Sequence, residues 1–156
     1  MITLKLLTIV LFTLLGSYRL VNANNLNSTN ITADGGIVTF ENAIKDTWQT
    51  VYYSNQSANK HQILKEHTSF ATPDSDSLSA NKKHLVINAI NSGTLEYGKQ
   101  KELYDRAYCI FVKMDTGCIV KKETGEFCGG YWDTTDSSWN LYGTLVNIAN
   151  ETCISP

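Results

Sequence analysis

No cysteine precedes residue 109, and no apolar stretch after residue 15 approaches the length that a membrane crossing needs. The 4 cysteines include no C-x-x-C pair, which removes the usual ligand spacing of a structural zinc site, so no metal is expected. His61, His67 and His84 are scattered, with no nucleophile or carboxylate in a catalytic frame around any of them. The chain has neither a G-x-S-x-G elbow nor a glycine loop for phosphate. Catalytic residues, and with them a cofactor, are therefore not expected. Charged residues make up 18% of the chain and form no basic patch, which argues against nucleic acid and anionic lipid as partners.

What stands at the start is an export signal. Lys5 precedes an apolar run over 6–15, and Val21 and Ala23 frame Asn22, so cleavage is expected after Ala23. The run is too short to span a bilayer, which takes about 20 residues. Of the 156 residues, removal of 1–23 leaves 133, enough for one domain with a modest core. Lys5 and Arg19 leave with the signal, so basic residues fall from 13 to 11 against 15 acidic ones, and the net charge moves from −2 to −4. A secreted, extracellular monomer follows as the expectation, with no membrane span.

Export also sets the chemistry of Cys109, Cys118, Cys128 and Cys153. In an oxidising compartment they are expected to form two disulfides, drawn from three connectivities. Asn27, Asn30, Asn55 and Asn150 each open an Asn-x-Ser/Thr tripeptide and become candidate glycosylation sites facing solvent.

Residues 24–36, rich in Asn, Ser, Thr and Gly, read as a flexible glycosylated leader, with a single domain over 37–156. Phe40, Ala43, Ile44 and Trp48 lie near helical spacing, so a short helical turn is expected ahead of a strand at 47–54. In that strand Trp48, Thr50 and Tyr52 share one face, and Gln49, Val51 and Tyr53 the other. Further strands are expected around 61–70 and 84–90, with a loop at 73–76 between them and a turn at Asn91-Ser92-Gly93. Gly98 interrupts a strand pair or bent strand beyond that turn.

Residues 107–114 and 118–123 flank Asp115-Thr116-Gly117 and read as a hairpin. Centred at Thr116, it sets Met114 opposite Cys118 and Cys109 opposite Glu123, so the first two sulfurs lie roughly 16 Å apart along the ladder. A disulfide needs Cα atoms within about 7 Å. Two connectivities stay open: Cys109–Cys128 with Cys118–Cys153, or Cys109–Cys153 with Cys118–Cys128. Either one staples the C-terminal tail to this hairpin. In the tail, Gly129-Gly130 and a polar loop over 133–138 lead to a last element at 139–148, a buried strand or a short helix.

About seven short β segments separated by turn signals argue a mostly β chain, an antiparallel sandwich or barrel. Trp48, Tyr52, Tyr97, Tyr104, Tyr108, Phe111, Trp132 and Trp139 lie in or beside these segments. Such rings either fill a small barrel or line a ligand cavity, with Trp48, Tyr52, Tyr97 and Phe111 the candidates for the second role.

Three segments carry a resemblance. "FENAIKDTWQTVYYS" looks like a short helix leading to the tryptophan of a first barrel strand; "ELYDRAYCIFVKM" looks like a late strand with a cysteine after Tyr-Asp; "EFCGGYW" through "NIANETCISP" looks like a cysteine-bearing tail. Together they resemble the arthropod salivary lipocalins of the tick histamine-binding type. That resemblance implies a small antiparallel up-and-down barrel with a short N-terminal helix and a disulfide-stapled tail. It also implies a non-enzymatic role in saliva, sequestering a biogenic amine or lipid, or blocking a host protein. Within it, Cys109 pairs with Cys128, and Cys118 stands in as partner of Cys153.

Two alternatives remain. "INSGTLEY" ahead of four C-terminal cysteines is similar to a cystatin-like cysteine protease inhibitor, which implies pairing of Cys109 with Cys118 and Cys128 with Cys153. The other is a glycosylated domain with a filled core that binds through its outer surface.

Overall fold

In a computed structural model, residues 27–33, 35–57, 59–64, 68–135, 138–148 and 152–154 are described. The expected export signal, Asn150 and His67 lie outside them. Side-chain alternation along the central strands decides the architecture. In β6 (His84–Tyr97), Leu85, Ile87 and Ala89 enter one apolar cluster, while Val86 enters another on the opposite face. In β7 (Gln100–Lys113), Ile110 and Val112 join the first cluster, and Cys109 and Phe111 the second. A strand apolar on both faces must be covered on both, so the β6–β7 pair is the middle layer of the molecule.

The remaining strands supply those covers. β1 (Ser28–Ala33), β2 (Gly36–Ile44), β3 (Thr47–Asn55), β4 (Lys60–Gln62), β5 (Thr68–Ala71) and β8 (Ile119–Thr124) complete an antiparallel sheet in the order β1-β2-β3-β5-β6-β7-β8, with β4 also on β3. This sheet curls around Val38, Phe40, Trp48, Val51, Tyr53, Phe70 and Met114. β9 (Tyr131–Trp132), β10 (Ser138–Leu141) and β11 (Thr144–Asn147) form a second, three-stranded sheet. Its Trp139, Val146 and nearby Ile148 pack on the outer face of the first.

Of the described residues 64% are in strands and 7% in short 3₁₀ turns, with no helix of seven residues or more. Among them, no helix is long and apolar enough to cross a membrane. The expected N-terminal helix is absent: residues 36–44 form β2, because Val38 and Phe40 alternate into the core opposite Tyr53 and Val51 of β3. The expected leader also differs. Ser28–Ala33 is strand β1, paired along its whole length with β2, and its Ile31 and Ala33 pack against the core.

The expected barrel is not closed, since β1 and β8 do not pair among the described residues. After β8 the chain enters the 3₁₀ turn Gly125–Gly129 and crosses to the back of the sheet, where it builds the second layer instead of closing the first. Tyr53 spans the gap at one corner. Its hydroxyl donates to Met114 O at 3.1 Å and stands 3.4 Å from Gly35 O, joining the β1–β2 and β7–β8 turns. Gly117, at φ 71°, lies flat against this ring: a Cβ there would stand 2.0 Å from Tyr53 Cγ.

At its far end the β7–β8 hairpin has the register that its turn residues imply, with Cys109 opposite Glu123, but a bulge at Phe111/Val112 shifts it near the turn, where Val112 faces Ile119 and Lys113, in place of Met114, donates its N–H to Cys118 O. Asn91-Ser92-Gly93 makes no turn; it continues β6, which reverses at Gly98 instead. The expected last element at 139–148 is a hairpin turning at Tyr142 and Gly143.

Candidate ligand crevice

β5 ends at Ala71, and Pro73, lacking an N–H, cannot prolong a ladder. The chain makes an excursion before returning as β6. Two tryptophans pin it. Trp48, in the first core, donates its indole N–H to Thr72 Oγ1 at 2.9 Å, and Trp132, beside the second, donates to Ser77 O at 3.2 Å. The return is braced by Ser79, whose N–H donates to His84 O at 2.9 Å and whose Oγ accepts the His84 N–H at 3.0 Å.

Three concavities ring this excursion. One, of about 260 Å³, lies between it and the outer face of β6, lined by Ala71, Thr72, Pro73, Asp74, Ser77, Val86, Asn88 and Cys128. A second, of about 480 Å³, includes Trp48, Lys45, Asp46 and Thr72. A third of the same volume includes Asp76, Leu78, Tyr131, Trp132 and Asp133. The first holds the distinctive chemistry. Asn88 Oδ1 is buried with no hydrogen-bond partner, although buried polar atoms are ordinarily paired.

Cys128 also lines this pocket, and Asn88 pairs in register with Cys109 on the neighbouring strand. Both cysteines are free thiols, in hydrogen-bond contact. Contact with Cys128, and then burial, push the Cys109 thiol pKa far up, so it stays protonated. The disulfide present joins Cys118 to Cys153, with Cα atoms 5.6 Å apart. Ile154 N–H donates to Ile119 O at 2.7 Å, docking the tail on β8. This bond is incompatible with the cystatin-like pairing of neighbours and with Cys118–Cys128.

The four expected cavity residues are not brought together. Trp48, 8% exposed, fills the first core edge-on to Phe40 and borders the second concavity, not the one that Asn88 lines. Phe111 is in the other core, edge-on to Trp132 and Trp139. Tyr52 faces away from Tyr53 and lies under the Lys60 ammonium, 4.0 Å from the ring centre. Tyr97, 62% exposed, sits near the tip of the β6–β7 hairpin. The shared face expected for Trp48 and Tyr52 fails because the core instead takes Val51 and Tyr53 with Trp48.

Asn27 and Asn30 are exposed, and Asn55 Oδ1 accepts the N–H groups of Ser57 and Asn59. Thr72, Asp74, Ser77 and Asn88 were not singled out from sequence. A signal for Asn88 existed, since it is the one polar residue in the run Leu85-Val86-Ile87-Asn88-Ala89-Ile90. The family models, curated proteins and solved structures compared with this chain yield no match.

Proposed function

We propose that the protein is a secreted, non-enzymatic, lipocalin-like binding protein that sequesters a small mediator beneath the excursion at 72–77, outside the curled sheet. The observation that carries this reading is the unpaired Asn88 Oδ1 in the pocket that Asp74 also lines. An unsatisfied buried acceptor costs about 1–3 kcal/mol, which a ligand N–H would relieve.

Acceptors dominate the polar lining: the Asp74 carboxylate, the Asn88 carbonyl, and the Thr72 and Ser77 hydroxyls. Ala71, Pro73 and Val86 add a small apolar wall. That combination favours a compact cationic amine. A lipid chain would need an apolar tunnel, and the sheet interior is occupied by Phe40, Trp48, Phe70 and Met114.

Isothermal titration of the secreted protein with histamine and serotonin tests this. A saturable heat, weakened about tenfold by Asp74→Asn and by Asn88→Leu, is the expected result. No saturable heat, or binding indifferent to both substitutions, would sink the proposal, as would a fatty acid retained in native mass spectrometry.

A further inference from the structure

In place of the monomer expected from the sequence, we infer that two copies of this chain pair through the free edge of β7, with Leu103 opposite its own equivalent. Among the described residues, β6 pairs with β5 only as far as Asn91, and β7 with β8 only as far as Tyr108. Among the described residues, 92–97 and 100–107 therefore form a two-stranded ribbon, roughly 20 Å long. Leu103 is 85% exposed on it. An isolated two-stranded ribbon is marginal in water, and added strands stabilise it.

The edge is built for pairing. Lys113 N–H donates to Cys118 O on the β8 side, and Met114 N–H to Lys83 O on the β6 side. Alternation along β7, which pairs without interruption to β6, then aims the backbone N–H and C=O of residues 101, 103 and 105 away from β6. No glycan acceptor tripeptide falls within the ribbon.

Charge selects one register. A twofold antiparallel pairing that matches outward N–H to outward C=O must centre on a residue. Centring on Glu102 or Asp105 sets identical carboxylates opposite each other. Centring on Tyr104 sets Lys101 against Ala107, whose edge lies under Gly125: a Cβ on Gly125 would stand 2.9 Å from Ala107 C. Centring on Leu103 pairs Lys101 with Asp105 twice and stops short of Ala107.

The same face of the ribbon already orients these groups. Lys101 Nζ bridges Glu96 at 2.7 Å, and Ser92 donates to Asp105 at 2.6 Å. In the dimer each Glu96–Lys101 pair continues into Asp105–Ser92 of the other copy, on either side of the two leucines.

Sedimentation equilibrium of the secreted full-length chain tests the pairing, with circular dichroism reporting the fold. The wild type should double in mass with rising concentration. Lys101→Glu should weaken association about tenfold, and Lys101→Glu with Asp105→Lys should restore it. Leu103→Pro, which removes an outward N–H while sparing the β6 ladder, should leave a folded monomer. A wild type monomeric at every concentration overturns the inference. So does a dimer indifferent to Leu103→Pro, or a double charge exchange that fails to rescue.

Discussion

Replacing Tyr53 by Phe removes one oxygen from the corner where the curled sheet is latched. The ring, 1% exposed, keeps its place against Gly117, so the change isolates the hydroxyl and its bonds to the two turns. Losing that donor inside a buried corner costs about 1–2 kcal/mol, or a fall in Tm of about 3–8 °C for a domain of this size. The pH dependence is more diagnostic. Burial first, and the Asp115 carboxylate second, raise the Tyr53 phenol above its ordinary 10.0.

The folded protein therefore holds a proton that the unfolded chain releases. This contribution is complete below pH 10, and it is lost as pH rises through the folded-state value. Urea unfolding followed by tryptophan fluorescence should show wild type and Tyr53→Phe separated at neutral pH and converging in alkali. Equal midpoints at neutral pH, or a gap that widens with alkali, would refute the latch.

Other outcomes follow from the same contacts. Converting both Cys118 and Cys153 to Ser opens a cross-link spanning 35 residues and should lower stability by about 3–4 kcal/mol, measured by calorimetry. Gly117→Ala forces a side chain into a left-handed backbone and against Tyr53, with an expected loss of about 2–4 kcal/mol in the same urea assay. Peptide mapping without reduction should recover Cys109 joined to Cys128 in protein exported through an oxidising compartment, because the two thiols already touch. Quantitative alkylation of Cys128 in unreduced protein would count against that bond.

Much of the β content was legible because it is written in nearest neighbours. Alternation in β6, and Asp115-Thr116-Gly117 between two apolar runs, are local signals, and the hairpin with its Cys109–Glu123 pair followed from them. Asn91-Ser92-Gly93 misled for the same reason: turn residues carry a local preference that a paired partner strand overrides. The candidate crevice was hardly legible. Its proline-bearing loop announced itself as a loop, but Asn88, Cys128 and Asp74 meet only because β6 is covered on its outer face.

The expected export signal, cysteine placement, β class and the central hairpin belong to the linear chain, since each depends on composition or on residues a few positions apart. Which faces are buried, that the sheet stays open with Tyr53 at its corner, that the last hairpin builds a second layer, and which cysteines adjoin were decided by folding. Those outcomes depend on contacts between residues far apart in the chain, such as Tyr53 with Met114 and Phe111 with Trp139. Alternation reveals that a strand has two faces; only the packed molecule assigns what covers each.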